Sequence, residues 1–211
     1  MKSNPTKETY DALSRAHQFF NRSLFQKSLP PCVITALDSR RSPACFRLKN
    51  WEHSAKETVT DEISFNPIFF KSQSIEQILS NLVHEMCHQQ QHHFGRSGKH
   101  GYHNKQFKGM MEAVGLLTYD ISSELGKGTG YTVSHRIEKG GRFELSCKKL
   151  LDQGFTIPWH ARIFPRSKNQ IVKAASKTKF SCPTCDLNAW AKPAAQLKCG
   201  HCESYLISAS E

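Results

Sequence analysis

The sequence predicts an α+β domain followed by a small four-cysteine zinc ribbon, and three observations carry that prediction. Two segments repeat apolar residues at the helical period, and short apolar runs bounded by turn residues lie between them. Two CxxC pairs then close the chain. At 211 residues the chain is long enough for one hydrophobic core and a small appendage.

The first helix is predicted over Glu8–Phe20, where Tyr10, Ala12 or Leu13, Ala16, Phe19 and Phe20 follow the helical period. Pro30-Pro31 stops whatever precedes it. Val33-Ile34 and Ala44–Leu48 then read as short strands joined by a basic turn, Asp38–Pro43. A third strand, from Asp61, runs into Asn66-Pro67, and the proline marks its end as an edge or a stop. From Ser74 the period changes: Ile75, Ile78, Leu79, Leu82, Val83, Met86 and Cys87 recur every three or four residues, and Ser74 with Gln77 forms a capping box. This long buried helix ends near Gly95. A further helix carries Phe107, Met110, Met111 and Val114 on one face and stops at Gly115, so that the two helices can pack together. Glycine clusters at 126–130 and 140–141 mark a turn-rich extension, in which Tyr131-Thr132-Val133 and Arg142–Leu145 read as short strands. The expected organisation is a main domain over 1–155, with 118–155 as its extension, a basic arm over 156–180 and a ribbon over 181–208.

Twenty-nine Lys and Arg against eighteen Asp and Glu give a net charge of +11, which favours a polyanionic partner, nucleic acid first. The arm concentrates that charge: Arg162, Arg166, Lys168, Lys173, Lys177 and Lys179 occur without an acidic residue among them, and they are the candidate DNA-binding residues. Trp51, Trp159 and Trp190 could stack on single-stranded bases, although packing is the expected use, above all for Trp190 within the ribbon. The polar N-terminus and the absence of eighteen consecutive apolar residues predict neither a signal peptide nor a membrane span. A cytoplasmic monomer is expected, nucleoid-associated if bacterial. Cys32, Cys45, Cys87 and Cys147 are scattered and read as small buried apolar side chains.

His84-Glu85-Met86-Cys87-His88 falls inside the long helix. Imidazoles at i and i+4 share a face one turn apart and can reach one zinc ion, while Glu85 beside them can act as a general base. A catalytic zinc usually takes three protein ligands and keeps one open position. His92, His93, His100 and His103 are the available third ligands. His92 continues the face of His88, His93 faces away, and one straight helix diverges from a single ion. His103, opening the next helix, is favoured, with His100 second. His135 and Tyr131 are further candidates to stabilise an oxyanion, against a structural use.

Cys182-Pro183-Thr184-Cys185 and Cys199-Gly200-His201-Cys202 form a two-knuckle site for a second, structural Zn2+. His201 could replace a cysteine, but four thiols make that unnecessary. Metal binding here is folding energy for a segment too short to hold by burial.

With both sites in view the chain resembles the SprT-like family, the group that includes the Spartan DNA-protein crosslink proteases. The resemblance rests on Leu82–His88, on Gly101-Tyr102-His103-Asn104-Lys105-Gln106-Phe107 with Met111 and Gly115-Leu116, on Ser134-His135-Arg136-Ile137 with Gly140–Phe143, and on the terminal ribbon. It implies a zincin-like domain, a helix pair over a small sheet, and it supports His103, whose spacing to Phe107 matches the third ligand of the family. It also implies a zinc metalloprotease with one catalytic and one structural zinc, acting on DNA-bound or crosslinked proteins. A non-catalytic DNA-binding or transcription-associated protein is the alternative. In zincins an extended substrate lies along an edge strand, for which Ile63–Asn66 is the candidate. The short C-terminus suits a bacterial, phage or mobile-element member.

Overall fold

The computed structural model describes residues 3–36, 42–99, 101–121, 127–162 and 177–208. Its contacts divide the chain into two compact units, Met1–Arg162 and Ile163–Glu211.

The first unit opens with α1 (Pro5–Leu24), whose N-terminus is capped by Asn4 accepting from Lys7 N at 3.1 Å. Leu13, Ala16, His17, Phe20 and Leu24 form its buried stripe. Three strands follow, β1 (Cys32–Ala36), β2 (Ala44–Glu52) and β3 (Val59–Phe65), in the order β1-β3-β2. β1 runs parallel to β3 and β2 antiparallel to it. The two strands expected to be joined by a turn therefore flank a third. The edge assignment of Ile63–Asn66 is overturned too, because β3 is central, and β2 is the edge strand packed beside α3. Asp61 to Phe65 is buried on both faces, as a central strand must be, and Pro67 only stops the chain after the ladder has ended.

A short helix, α2 (Phe69–Ser72), precedes α3 (Ile75–Phe94), which is the spine of the unit. The capping box forms as predicted: Gln77 N donates to Ser74 Oγ at 3.3 Å and Ser74 N donates to Gln77 Oε1 at 2.9 Å. Leu82, Val83, Met86 and Cys87 are fully buried, and α3 ends at Gly95. Cys147 is buried like Cys87, while Cys32 and Cys45 are half-buried. α4 (Lys105–Ala113) folds back against α3, burying Phe107 and Met111, and leads through Gly115 into β4 (Leu116–Asp120). Gly115 has φ +86°, and a Cβ there would meet Arg142 N at 2.9 Å, so the turn requires glycine.

β4 pairs antiparallel with β5 (Val133–Ile137), which starts later than expected and leaves Tyr131 and Thr132 ahead of it. The strand expected over Arg142–Leu145 is instead the start of α5 (Arg142–Asp152). Phe143, Cys147 and Leu150 bury a helical stripe against α1, with Phe143 stacked on Phe20 at 5.6 Å. Arg142 donates to Ala113 O and Leu24 O, satisfying carbonyls at the ends of two helices. Residues 156–162 pack back on this unit: Trp159 Nε1 donates to Glu8 Oε2 at 2.7 Å and Ala161 N to Pro67 O at 3.1 Å.

The second unit is a three-stranded antiparallel sheet, β6 (Thr178–Ser181), β7 (Asn188–Ala191) and β8 (Ile207–Ser208), in the order β7-β6-β8. Phe180, Cys182, Cys199 and Leu206 are its buried residues. Trp190 does not pack into this module; it is 61% exposed on β7. Such a core is too small to hold a sheet without a further constraint. No helix among the described residues is long and apolar enough to cross a membrane.

Candidate metal centre

The fold brings His84 and His88 from α3 together with His103, which lies just ahead of α4. Ligand-capable atoms of the three lie within 4.8 Å of one another. Imidazole nitrogens held tetrahedrally at about 2.0–2.1 Å from one zinc would stand about 3.3–3.4 Å apart. His88 Nε2 and His103 Nε2 are 3.2 Å apart. His103 Nδ1 is 3.0 Å from Gly130 O, and because a carbonyl only accepts, the proton sits on Nδ1 and Nε2 offers a lone pair. Backbone bonds in both directions between His103 and Gly130 fix that arrangement. The buried Nδ1 of His84 has no hydrogen-bond partner among the described residues.

Phe107 is the floor of this group. Its fully buried ring lies 4.1 Å from His88, 4.8 Å from His103 and 5.1 Å from His84, centroid to centroid. Burial depresses the pKa of each imidazole, His84 well below the usual histidine range and His88 to about 3, with neighbouring imidazoles adding to the effect at both. His103 is lowered as well, by burial, against the opposing pull of Gly130 O. Neutral imidazole is the form that ligates a metal. The donor set, the spacing and the protonation state thus fit zinc.

Glu85 is 8% exposed, and burial pushes its carboxyl up to about 8, while a hydrogen bond from the Phe46 backbone pulls the other way. That bond sets the carboxylate against β2, the edge strand. His135 stands next to the group, its ring 5.2 Å from that of His84 and its Nε2 3.0 Å from Ser80 Oγ; burial lowers it to about 4.

The other histidine candidates go elsewhere. His92 is exposed and packs on Phe46 at 5.5 Å, and His93 Nε2 is 2.7 Å from Asp61 Oδ2. His100 lies outside the described residues. Tyr131 is exposed and meets Tyr102 edge-on at 5.1 Å. Sequence reasoning missed Gly130, whose glycine cluster signals a turn but not the carbonyl that reaches His103, and Phe46, whose amide carries no side-chain signal.

The second group is Cys182, Cys185, Cys199 and Cys202, whose sulfurs also lie within 4.8 Å of one another. Tetrahedral zinc thiolates at about 2.3 Å place sulfurs about 3.8 Å apart; Cys185 and Cys199 are 3.7 Å apart. The two knuckles repeat one geometry. Asp186 N donates to Cys182 O and Glu203 N to Cys199 O, and both Asp186 and Glu203 hold φ +57°. Backbone amides of Cys202 and His201 pull the Cys199 thiol down to about 7, while contact with Cys185 leads in pushing Cys202 up to about 12. Four thiols this close do not all ionise without a cation between them.

Of the basic residues, Arg162 closes the first unit, and Lys177 and Lys179 lie in the second, Lys179 on β6. Arg166, Lys168 and Lys173 lie outside the described residues.

The profile of the SprT-like family matches residues 13–135, more than half of the chain. This protein belongs to the SprT-like family, and membership points to a metallopeptidase-type enzyme. It is also similar to an uncharacterized protein in the mucB 3′ region of Salmonella typhimurium, 42% identical over 59 residues, which are 28% of this chain and 80% of that one. No solved structure matches.

Proposed function

We propose that this chain is a zinc-dependent endopeptidase with a zincin-like catalytic domain, acting on proteins bound or crosslinked to DNA. The observation that carries the reading is the convergence of His84, His88 and His103 beside the buried Glu85. The three imidazoles would hold the catalytic Zn2+, and the four cysteines a structural one. When bound, the catalytic ion supplies a Lewis acid that polarises a peptide carbonyl and acidifies water.

The chain's own groups do the rest. Glu85 takes a proton from the attacking water and returns it to the leaving amine. Its burial keeps the proton on the carboxyl in the absence of positive charge, and a cation on the three imidazoles draws the pKa back down. The Phe46 amide fixes the carboxylate at the boundary of α3 and β2. A peptide added along the open edge of β2 would place its scissile bond beside Glu85. β2 takes the role that the sequence assigned to Ile63–Asn66.

Contact with DNA is supported by the +11 charge, by the basic arm and by the ribbon surface. Trp190 and Tyr205 are exposed there, and Lys179 is the cross-strand partner of Trp190. Exposed aromatic rings beside lysines suit stacking on single-stranded bases with phosphate contacts.

The test incubates the purified protein and Glu85→Gln with a basic DNA-binding protein, with and without single-stranded DNA. DNA-dependent fragments that vanish in the variant support the reading. Intact bands throughout, in protein confirmed to hold two zinc ions, overturn it in favour of a non-catalytic DNA-binding protein.

A further inference from the structure

The β4–β5 hairpin region reaches the three-histidine group at two places, through Gly130 O on His103 and through His135 beside His84. His103 has its orientation set by that carbonyl. His84 does not have such a bond: its Nδ1 is buried and without a hydrogen-bond partner among the described residues. Its ring is therefore oriented by the rings around it, those of His88, His103, Phe107 and His135.

Among these four, His135 is tied back to the helix that carries His84. Its Nε2 is 3.0 Å from the hydroxyl of Ser80, a buried residue one turn before His84 on α3. Ser80 has one hydroxyl proton and donates it to Gln77 O at 2.9 Å. Ser80 Oγ must then accept from His135, which places the proton on Nε2 and fixes the rotation of the ring. The His135 and His84 rings are tilted by 30°, with centroids 5.2 Å apart, so His135 stands in ring contact with His84. His135 is outside the set of three whose ligand-capable atoms converge, and it is not a fourth ligand.

We infer that His135 is a positioning residue: through its bond to Ser80 it holds a wall against which the His84 imidazole keeps the orientation needed to ligate zinc. The inference rests on the reading of His84, His88 and His103 as a zinc site.

The test measures zinc affinity in the full-length protein by competition with a chromophoric chelator, for wild type and for His135→Ala, His135→Phe and His135→Gln. Thiolate absorption after cobalt loading follows the four-cysteine site separately, as an internal reference, and far-ultraviolet circular dichroism checks folding. Loss of an orienting partner typically weakens metal binding by about 10–100-fold. That loss is expected at the histidine site for Ala and Phe, with Gln, which keeps an N–H for Ser80, recovering most of it. Should Ala fail to fold, the comparison of Phe with Gln carries the test. Wild-type affinity in Phe, or a loss in Gln as large as in Phe, overturns the inference while leaving the zinc site standing. A wild-type protein that binds metal at the four cysteines alone overturns the zinc reading and the inference together.

Discussion

Replacing Phe107 with leucine separates the metal centre from the rest of the core. Phe107 is fully buried and in ring contact with all three site histidines, at 4.1, 4.8 and 5.1 Å. Phe20 on α1 is equally buried, but its ring partners are Phe19 and Phe143, at 5.5 and 5.6 Å. Each aromatic contact is worth about 0.5–1.5 kcal/mol beyond burial. Phe107→Leu should therefore cost roughly 2–4 kcal/mol of stability and Phe20→Leu roughly 1–3 kcal/mol. The metal affinities should diverge much more. Without the shared floor the three imidazoles gain rotamer freedom that zinc binding must remove, at about 0.5–1.5 kcal/mol for each side chain. A net loss of about 2 kcal/mol corresponds to about thirtyfold weaker binding at the histidine site. Phe20→Leu should bind as wild type does. Chelator competition at a temperature where both variants are folded reads the difference, and urea denaturation gives the stability term. Equal zinc affinity in the two variants would refute the idea that the ring organises the ligands.

Glu85 makes the metal-free protein sensitive to pH. Its carboxyl is pushed from an ordinary 4.5 up to about 8 in the folded state, so the folded chain keeps a proton that the unfolded chain releases. Stability of chelator-treated protein should fall as pH rises through that window, by roughly 2 kcal/mol between about pH 6 and pH 8, and Glu85→Gln should remove that part of the slope. Parallel pH profiles in urea denaturation would contradict the burial of an uncompensated carboxyl. In the second unit, Cys182→Ser should lower zinc content by one ion and melt that sheet, whose buried set is small. Limited proteolysis should then cleave beyond Arg162 and spare the first unit, and loss of both units together would show them to be energetically coupled.

The histidine and cysteine groups that could hold metal were legible in the sequence because most of their signals are local. α3 declares itself by period, by the Ser74–Gln77 cap and by the two histidines one turn apart, all within twenty residues. The ribbon declares itself by the spacing of its cysteines. What the sequence concealed depends on partners far along the chain. The central place of β3 follows from pairing with β1 across 29 positions, as in Cys32 with Asp61, and nothing within Asp61–Phe65 distinguishes a middle strand from an edge. Gly130 acts through a carbonyl 27 residues from His103, and Phe46 through an amide. α5 was misread because Arg142–Leu145 taken alone has no period; the stripe appears once Cys147 and Leu150 are counted with Phe143.

β2 breaks register between Arg47 and Trp51, where four steps along it oppose two along β3, from Glu62 to Thr60. Lys49 sits inside that irregularity with φ +47°, and its amide bonds to Asp61 Oδ1 at 3.1 Å instead of extending the ladder. The regular part of this border is therefore the short run from Ala44 to Arg47. A short border is a poor template for endless strand addition, which protects the molecule from sticking to its own kind. It also limits how many consecutive residues of a visiting chain can be read, so a scissor built on this frame would be choosy about where a chain is held and tolerant about what the chain spells.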